Sequence, residues 1–82
     1  MKRVVFLKPA TLALRKHANV AFRVREKIAA YAADPASLAN AVTELRGSTL
    51  KRLRVGDFRV LFEETDAEIV VSKIGPRGSV YD

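Results

Sequence analysis

Residues 50–63 restrict the fold more than any other part of the chain, because they alternate in polarity on both sides of a Gly56-Asp57 dipeptide. Alternation of this kind points successive side chains to opposite faces of a β-strand. In the first half it places Arg52 and Arg54 together on one face, with Lys51 and apolar side chains on the other. Because Gly-Asp favours a tight turn, the two halves are predicted to form a β-hairpin that carries two arginines side by side.

Three further patterns predict the elements around this hairpin. A short β-branched and aromatic run near the N-terminus predicts a buried strand. An apolar stripe at helical spacing predicts a helix that packs against a sheet, and proline after Asp34 ends it. The stripe consists of Val20, Val24, Ile28 and Tyr31. The predicted elements are a strand over 4–7, helices over 10–18 and 20–34, one or two more helical turns over 36–45, and strands over 50–55, 58–63 and 68–74.

The order of these elements predicts an α+β fold, β-α-α-β-β-β, in which two N-terminal helices pack on one face of a small, mainly antiparallel sheet. Residues 1–82 are expected to form a single domain, because no linker, repeat or low-complexity segment interrupts them. A chain this short buries only about 60% of the surface that its unfolded form exposes, so its core is thin. A protein partner that completes the core is therefore expected.

The charge of the chain is positive and unevenly distributed. Fifteen Lys and Arg residues against nine Asp and Glu give a formal net charge of +6. The segment 46–59 carries five basic residues and one acid, and four acids follow directly at 63, 64, 66 and 68. Because lysines and arginines gain affinity for phosphates by releasing counterions, the expected partner is nucleic acid first and an acidic protein second.

Composition excludes several classes of function. Without cysteine, and with His17 as the single histidine, the chain has no residues for thiol chemistry or for a metal site of the usual kind, and no metal or cofactor is expected. Residues 75–78 have neither the length nor the lysine of a phosphate-binding loop. No apolar run approaches the roughly 20 residues that span a bilayer, so a soluble, cytoplasmic protein without a membrane contact is expected.

Arginines and one tyrosine remain as candidates for chemistry. The hairpin places Arg59 on the strand next to Arg52 and Arg54, and the tail can bring Arg77 and Tyr81 across the same face. In RNA cleavage the 2′-oxygen attacks the adjacent phosphate, and guanidinium groups can stabilise the charge that builds on the non-bridging oxygens. Tyrosine can transfer a proton or stack on a base. Structural arginines on a sheet, with a tyrosine packed over the core, would give the same pattern.

Two motifs in this region closely resemble the RelE/ParE superfamily of bacterial type II toxins. They are the hairpin Leu53-Arg54-Val55-Gly56-Asp57-Phe58-Arg59-Val60-Leu61-Phe62 and the tail Gly75-Pro76-Arg77-Gly78-Ser79-Val80-Tyr81. The upstream segments 31–35, 38–40 and 45–47 are also similar to the RelE branch, so the resemblance covers nearly the whole chain. The fold of this family, with two N-terminal helices on a mainly antiparallel sheet, matches the predicted order of elements.

The resemblance implies a ribosome-dependent endoribonuclease that cleaves mRNA without a metal, inhibits translation and is silenced by a co-expressed antitoxin. The catalytic residues that it implies are Arg59, Arg77 and Tyr81. The RNA-binding residues expected beside them are Arg52, Arg54 and Lys51.

The strand before the turn departs from the best-studied members of the family, which carry two lysines there, one residue apart. The corresponding positions in this chain are Leu50 and Arg52. Arginine can bind phosphate, but its pKa is too high for a ready proton acceptor. Proton transfer is therefore expected to fall to Tyr81 or to the substrate itself.

Two other functions stay open. A ParE-like protein would inhibit DNA gyrase without cutting RNA, although that branch generally lacks the arginine and tyrosine set found here. A catalytically degenerate toxin would only bind its antitoxin, and the missing lysine pair motivates this alternative. On each of these readings the partner is an antitoxin whose acidic, amphipathic segment wraps the basic face and covers exposed apolar surface.

Overall fold

A computed structural model describes residues 1–79 of the chain as five strands, two α-helices and one 3₁₀-helical segment. The elements begin and end close to the bounds that the sequence patterns predict. In chain order they are β1 (Arg3–Phe6), α1 (Lys8–Lys16), α2 (Ala18–Ala33), the 3₁₀ segment (Pro35–Ala41), β2 (Val42–Glu44), β3 (Leu50–Val55), β4 (Phe58–Glu64) and β5 (Glu68–Pro76).

The strands form one sheet in the order β1-β5-β4-β3-β2. All neighbouring strands are antiparallel except β1 and β5, which pair in parallel from Arg3 opposite Glu68 to Phe6 opposite Val71. A parallel pair needs a long crossover, and α1 and α2 lie within the chain that connects these two strands. The predicted α+β fold, with helices on one face of a mainly antiparallel sheet, is confirmed.

The core lies between this sheet and the helices. Each member of the helical stripe predicted from the sequence is at most 7% exposed, and the stripe packs on apolar residues of β3, β4 and β5. Burial of that face stabilises α2, since isolated helices of about this length are only marginally stable in water. The largest of the fully buried side chains are Phe62, Ile28, Leu53, Ile69, Val24, Val60 and Val71.

The segment 36–45 differs from the prediction that it forms only helical turns. Helical geometry of the 3₁₀ type ends at Ala41, and Val42–Glu44 is a short edge strand, β2. This strand pairs with β3 in antiparallel register, from Val42 opposite Leu53 to Glu44 opposite Lys51. The pairing depends on a partner strand that lies later in the chain, so the local composition of 36–45 did not reveal it.

The predicted hairpin is confirmed as β3 and β4. Val55 lies opposite Phe58, so Gly56 and Asp57 form a two-residue loop. The φ of Gly56 is +57°, a conformation that L side chains rarely adopt. Glycine at the first position of a two-residue hairpin loop is typical of a type II′ turn, whose twist matches that of the strands. The end of the sheet at this loop is called the hairpin end below.

Within residues 1–79, neither α-helix has the length and apolar character needed to cross a bilayer.

Candidate functional site

The face of the sheet opposite the helices carries the arginines predicted from the alternation. Leu53, Val55 and Val60 point into the core, so the residues between them point away from it. Arg54 of β3 lies directly opposite Arg59 of β4, and Arg59 lies opposite Gly75 of β5. Side chains directly opposite one another in a sheet have Cβ atoms about 5 Å apart. The sheet therefore holds two guanidinium-bearing side chains next to each other, followed by a residue without a side chain.

The guanidinium of Arg59 is held by the hairpin turn. Its Nη1 donates to the carbonyl oxygens of Gly56 and Phe58, each at 3.0 Å. An arginine carries five N–H donors, and among residues 1–79 no hydrogen bond engages the Nε–H or the two N–H groups on Nη2. The Nε–H and one N–H of Nη2 lie along one edge of the guanidinium, and such an edge forms bidentate pairs with phosphate oxygens. The turn thus orients Arg59 without consuming its anion-binding edge.

Arg77 lies beside the same turn, because the tail is tied to it through the backbone. The N–H of Arg77 donates to the carbonyl of Asp57 at 2.7 Å. A second turn follows at once, in which the N–H and the hydroxyl of Ser79 both donate to the carbonyl of Pro76, and Gly78 has a φ of +90°. The sequence-predicted pair Arg59 and Arg77 is therefore brought to one end of the sheet, where the side chain of Arg77 is exposed.

Arg52 forms the next row on the same face. It lies opposite Leu61, and Leu61 in turn lies opposite Lys73 of β5. Leu61 is only 4% exposed, although it belongs to the face away from the helices and lies outside the main core cluster. Long side chains such as Arg and Lys cover apolar surface with their aliphatic stems while their charged heads reach water. This row therefore adds two cations and a small apolar centre to the arginine face.

Lys51, expected to bind RNA, lies on the other face of β3, with the core residues Leu53 and Val55. Its Nζ donates to Glu64 Oε1 at 2.7 Å, and Lys2 donates to Glu64 Oε2 at the same distance. The structure therefore does not bring Lys51 together with the arginines, and its ammonium already has an acidic partner. The predicted residue Tyr81 lies outside the described residues.

Glu64 is the centre of a polar cluster at the end of the sheet remote from the hairpin turn. Besides the two lysines, the hydroxyl of Tyr31 donates to Glu64 Oε1 at 2.6 Å. Burial opposes ionisation of Glu64, but the hydrogen bonds from Lys2, Lys51 and Tyr31 outweigh it and lower its pKa to about 2. Burial, together with the bond to Glu64, raises the pKa of Tyr31, and the same carboxylate raises the pKa of Lys51. The cluster joins α2, β3 and β4 to Lys2, the residue before β1.

Charge is therefore sorted along the sheet. At the remote end, Glu64 pairs with Lys2 and Lys51, and Glu68 pairs with Arg3. At the hairpin end, no acidic side chain in the described range 1–79 forms an ion pair with Arg54, Arg59 or Arg77. Cations without a nearby counterion raise the local potential and attract a polyanion. The hairpin end has the composition of an anion-binding site.

The arrangement can bind phosphate groups and stabilise charge that develops on them. Arg59 is oriented by two carbonyls, Arg54 lies beside it, and Arg77 approaches from the tail. Donors fixed before the reaction stabilise transition-state charge more effectively than donors that must reorient.

Sequence reasoning did not single out two further cations near this site. Lys73 of β5 lies on the arginine face, opposite Leu61. The register of β4 and β5 shifts between Leu61 and Phe62, so simple alternation along β5 does not predict on which face Lys73 lies. Arg23 of α2 reaches the turn at Gly56, and its spacing on the helix gives no signal of that contact.

The sequence matches no protein-family model and no curated protein. Its fold does match solved structures. An archaeal RelE–RelB complex from Pyrococcus horikoshii OT3 contains a chain with 28% identity and a TM-score of 0.77, and the match covers 96% of this chain and 98% of that one. YafQ from E. coli has 10% identity and a TM-score of 0.75, over 96% of this chain and 97% of that one. A RelB–RelE antitoxin–toxin complex from Methanococcus jannaschii has 23% identity and a TM-score of 0.70, over 95% of each chain.

These matches confirm the resemblance inferred from the hairpin and tail. The chain is RelE-like in fold over nearly its whole length, and it shares this fold with a protein of only 10% sequence identity.

Proposed function

We propose that this RelE-like chain is the toxin of a type II toxin–antitoxin system and that it cleaves mRNA on the ribosome. One observation carries the proposal: Arg54 and Arg59 lie side by side at the hairpin end, Arg77 is tied to the same turn, and none of the three has an acidic partner within the described residues. Structural neighbours that are RelE and YafQ proteins support the same function.

The reaction proposed is cleavage by the RNA itself, with the protein as electrostatic catalyst. The 2′-oxygen of one nucleotide attacks the adjacent phosphorus as its proton passes to water, and the bond from phosphorus to the 5′-oxygen of the next nucleotide breaks. The products are a 2′,3′-cyclic phosphate and a 5′-hydroxyl, the latter formed when a proton reaches the departing oxygen. Negative charge on the non-bridging oxygens is greatest in the transition state, which is where fixed guanidinium donors contribute most.

Each residue of the proposed site has a separate role. Arg59 and Arg77 bind the non-bridging oxygens of the reacting phosphate, and Tyr81 supplies the proton to the 5′-oxygen. Arg52 and Arg54 bind flanking phosphates. Lys51 is left out of this site, because it lies on the other face of β3 with its ammonium on Glu64.

The proposed partner is an antitoxin with an acidic, amphipathic segment. Two of the structural neighbours described above come from complexes of RelE with RelB. In this chain the net charge of +6 and the arginines of the hairpin end favour an acidic ligand. Leu12 and Phe22 are 50% and 73% exposed, so such a segment also finds apolar surface to cover. Because the proposed substrate is mRNA under translation, the proposed location is the cytoplasm.

A purified translation system tests the proposed function. The wild-type chain is added to ribosomes that translate a defined mRNA, and the 5′ ends of the fragments are mapped. Replacement of Arg59, Arg77 and Tyr81 by Ala, singly and together, is expected to abolish the new 5′ ends. Arg46→Ala, in the exposed loop between β2 and β3, is the matched control and keeps wild-type cleavage.

Two results would contradict the proposal. Undiminished cleavage by the triple variant would exclude the assigned residues. Intact mRNA together with loss of gyrase supercoiling activity would instead assign the chain to the non-enzymatic class of gyrase inhibitors.

A further inference from the structure

Arg23 of α2 closely approaches the hairpin turn. A Cβ atom built on Gly56 would lie 2.8 Å from Nη2 of Arg23 and 3.7 Å from its Cζ. The side chain therefore spans from α2 to the turn, and its guanidinium occupies the space that any other residue at position 56 would fill. Arg23 itself is exposed, so the guanidinium also faces solvent.

Two guanidinium groups thus meet at one glycine. Arg59 donates from Nη1 to the carbonyl of Gly56 at 3.0 Å, while Arg23 covers its α-carbon. They come from different elements, β4 and α2. Asp57 is the neighbouring acid, but within residues 1–79 no ion pair joins it to either arginine. Two like charges beside one residue, neither of them in an ion pair within residues 1–79, raise the local positive potential.

The neighbouring arginine of the same helix has a different environment. Arg25, two residues along α2, places its guanidinium carbon 5.1 Å from the centre of the Phe6 ring, where the ring face stabilises the cation. Phe6 belongs to β1, at the opposite edge of the sheet from β2 and separated from the hairpin by β5. The helix therefore presents Arg25 to an aromatic ring and Arg23 to the proposed RNA site, so Arg25 can serve as the control for Arg23.

We infer that Arg23 is a phosphate-binding residue that continues the arginine face around the hairpin turn onto α2, so that RNA bound at Arg59 extends over the helix side of the turn. This inference rests on the proposed function. The ligand chemistry is an RNA phosphate, which can belong to the mRNA next to the cleaved bond or to ribosomal RNA beside it. Arg23 is a positioning residue in this arrangement, because it contacts a flanking phosphate and not the reacting one.

Salt dependence of RNA binding tests the inference directly. For single-stranded RNA, each phosphate contact adds about 0.7 to the slope of log affinity against log salt concentration. Binding is measured at a series of salt concentrations with a fluorescent mRNA fragment that carries 2′-O-methyl groups and cannot be cleaved. Arg23→Gln is expected to lower the slope by about 0.7, whereas the control Arg25→Gln keeps the wild-type slope.

The same series of salt concentrations, repeated with ribosomes, distinguishes a phosphate of mRNA from a phosphate of ribosomal RNA. A loss of slope with the free fragment assigns the contact to mRNA, and a loss only with ribosomes that lack mRNA assigns it to ribosomal RNA. Arg23→Lys retains the charge and is expected to keep the wild-type slope. An equal loss in the Lys and Gln variants would indicate that Arg23 acts by packing on the turn, and would overturn the inference.

The design separates this inference from the proposed function. If the wild-type chain binds neither RNA nor ribosomes, the proposed function fails. If it binds and the slope of Arg23→Gln equals that of wild type in every arm, the inference fails while the proposed function stands. Thermal melting of each variant verifies that the comparison is made between folded proteins.

Discussion

Arg54 of β3 and Arg59 of β4 lie directly opposite each other, next to the last residue pair before the turn. Like charges directly opposite in a sheet destabilise the pair, by an amount comparable to the 0.2–1 kcal/mol that favourable pairs contribute. Within residues 1–79 no acid offsets this repulsion by an ion pair with either residue. The arrangement costs stability in the free protein and is relieved when an anion binds between the two side chains.

Arg54→Thr is therefore expected to stabilise the free protein while it weakens RNA binding. Removal of the repulsion and a β-branched side chain on a strand should together raise the free energy of unfolding by about 0.5 kcal/mol at low salt. The gain should shrink at 1 M salt, where charges are screened within about 3 Å. Urea unfolding at low salt and at 1 M salt measures this gain in the free energy of unfolding. Arg52→Thr, opposite Leu61, introduces the same side chain on the same strand without removing a facing like charge, so it is the control and should show no gain that shrinks with salt.

Arg59→Lys is expected to reduce cleavage far more than binding. Lysine keeps the charge, but with three N–H donors it cannot bind the two turn carbonyls and also pair bidentately with a phosphate, as the guanidinium can. Loss of one or two charge-assisted hydrogen bonds in the transition state corresponds to a rate lower by roughly 10- to 100-fold. Single-turnover cleavage on programmed ribosomes gives the rate. If RNA affinity falls by the same factor as the cleavage rate, Arg59 only holds the substrate.

Gly56→Ala should destabilise the protein more than Gly47→Ala. Both glycines have a positive φ, +57° and +73°, so Ala at either position is strained by about 1–2 kcal/mol. Only at Gly56 does the added Cβ also meet a side chain, that of Arg23, since Gly47 has no atom within 4 Å. The difference between the two free energies of unfolding thus isolates the displacement of Arg23. Equal values would mean that Arg23 moves aside without cost.

Glu64→Gln should remove much of the pH dependence of stability in acid. The pKa of Glu64 falls from an ordinary 4.5 to about 2 on folding, so its contribution is present above pH 4.5 and is lost as the pH falls towards 2. Each pKa unit corresponds to 1.36 kcal/mol, which gives about 3 kcal/mol at neutral pH. Denaturant unfolding between pH 2 and pH 7 measures this contribution.

Glu63→Gln is the matched control for that titration. Glu63 is the adjacent residue on β4, is exposed, and accepts one hydrogen bond, from the hydroxyl of Thr49. Its replacement should leave the acid limb of the stability curve close to that of wild type. If both variants behave alike, the carboxylate of Glu64 does not tie the sheet to α2 as the geometry indicates.

The sequence predicted those parts of the fold that depend on near neighbours in the chain. The alternation around Gly56-Asp57 and the stripe from Val20 to Tyr31 each specify an element and the face that it buries, and the structure confirms both. The same alternation also placed Lys51 on the face away from Arg52 and Arg54. Period and turn chemistry are local properties, which is why they can be read before the fold is known.

Contacts between distant segments were beyond prediction from a single sequence. β2 is a strand only because β3 offers it a partner, and Lys2 reaches Glu64 across 62 positions of chain. The approach of Arg23 to Gly56 has the same origin, since it depends on the angle at which α2 crosses the sheet. The sequence could therefore predict the face of the sheet on which an arginine lies, but not the residues that this arginine contacts.

The parallel pairing of β1 with β5 sets an order of events during synthesis. β1 and both α-helices emerge early, yet β1 has no strand to join until Glu68–Pro76 has been made, because β5 alone lies between it and β4. Contacts of such long sequence separation form late in folding. A nascent chain that stops before residue 68 lacks the strand that joins β1 to the rest of the sheet. On the proposed function, toxicity therefore begins only after translation has passed β5.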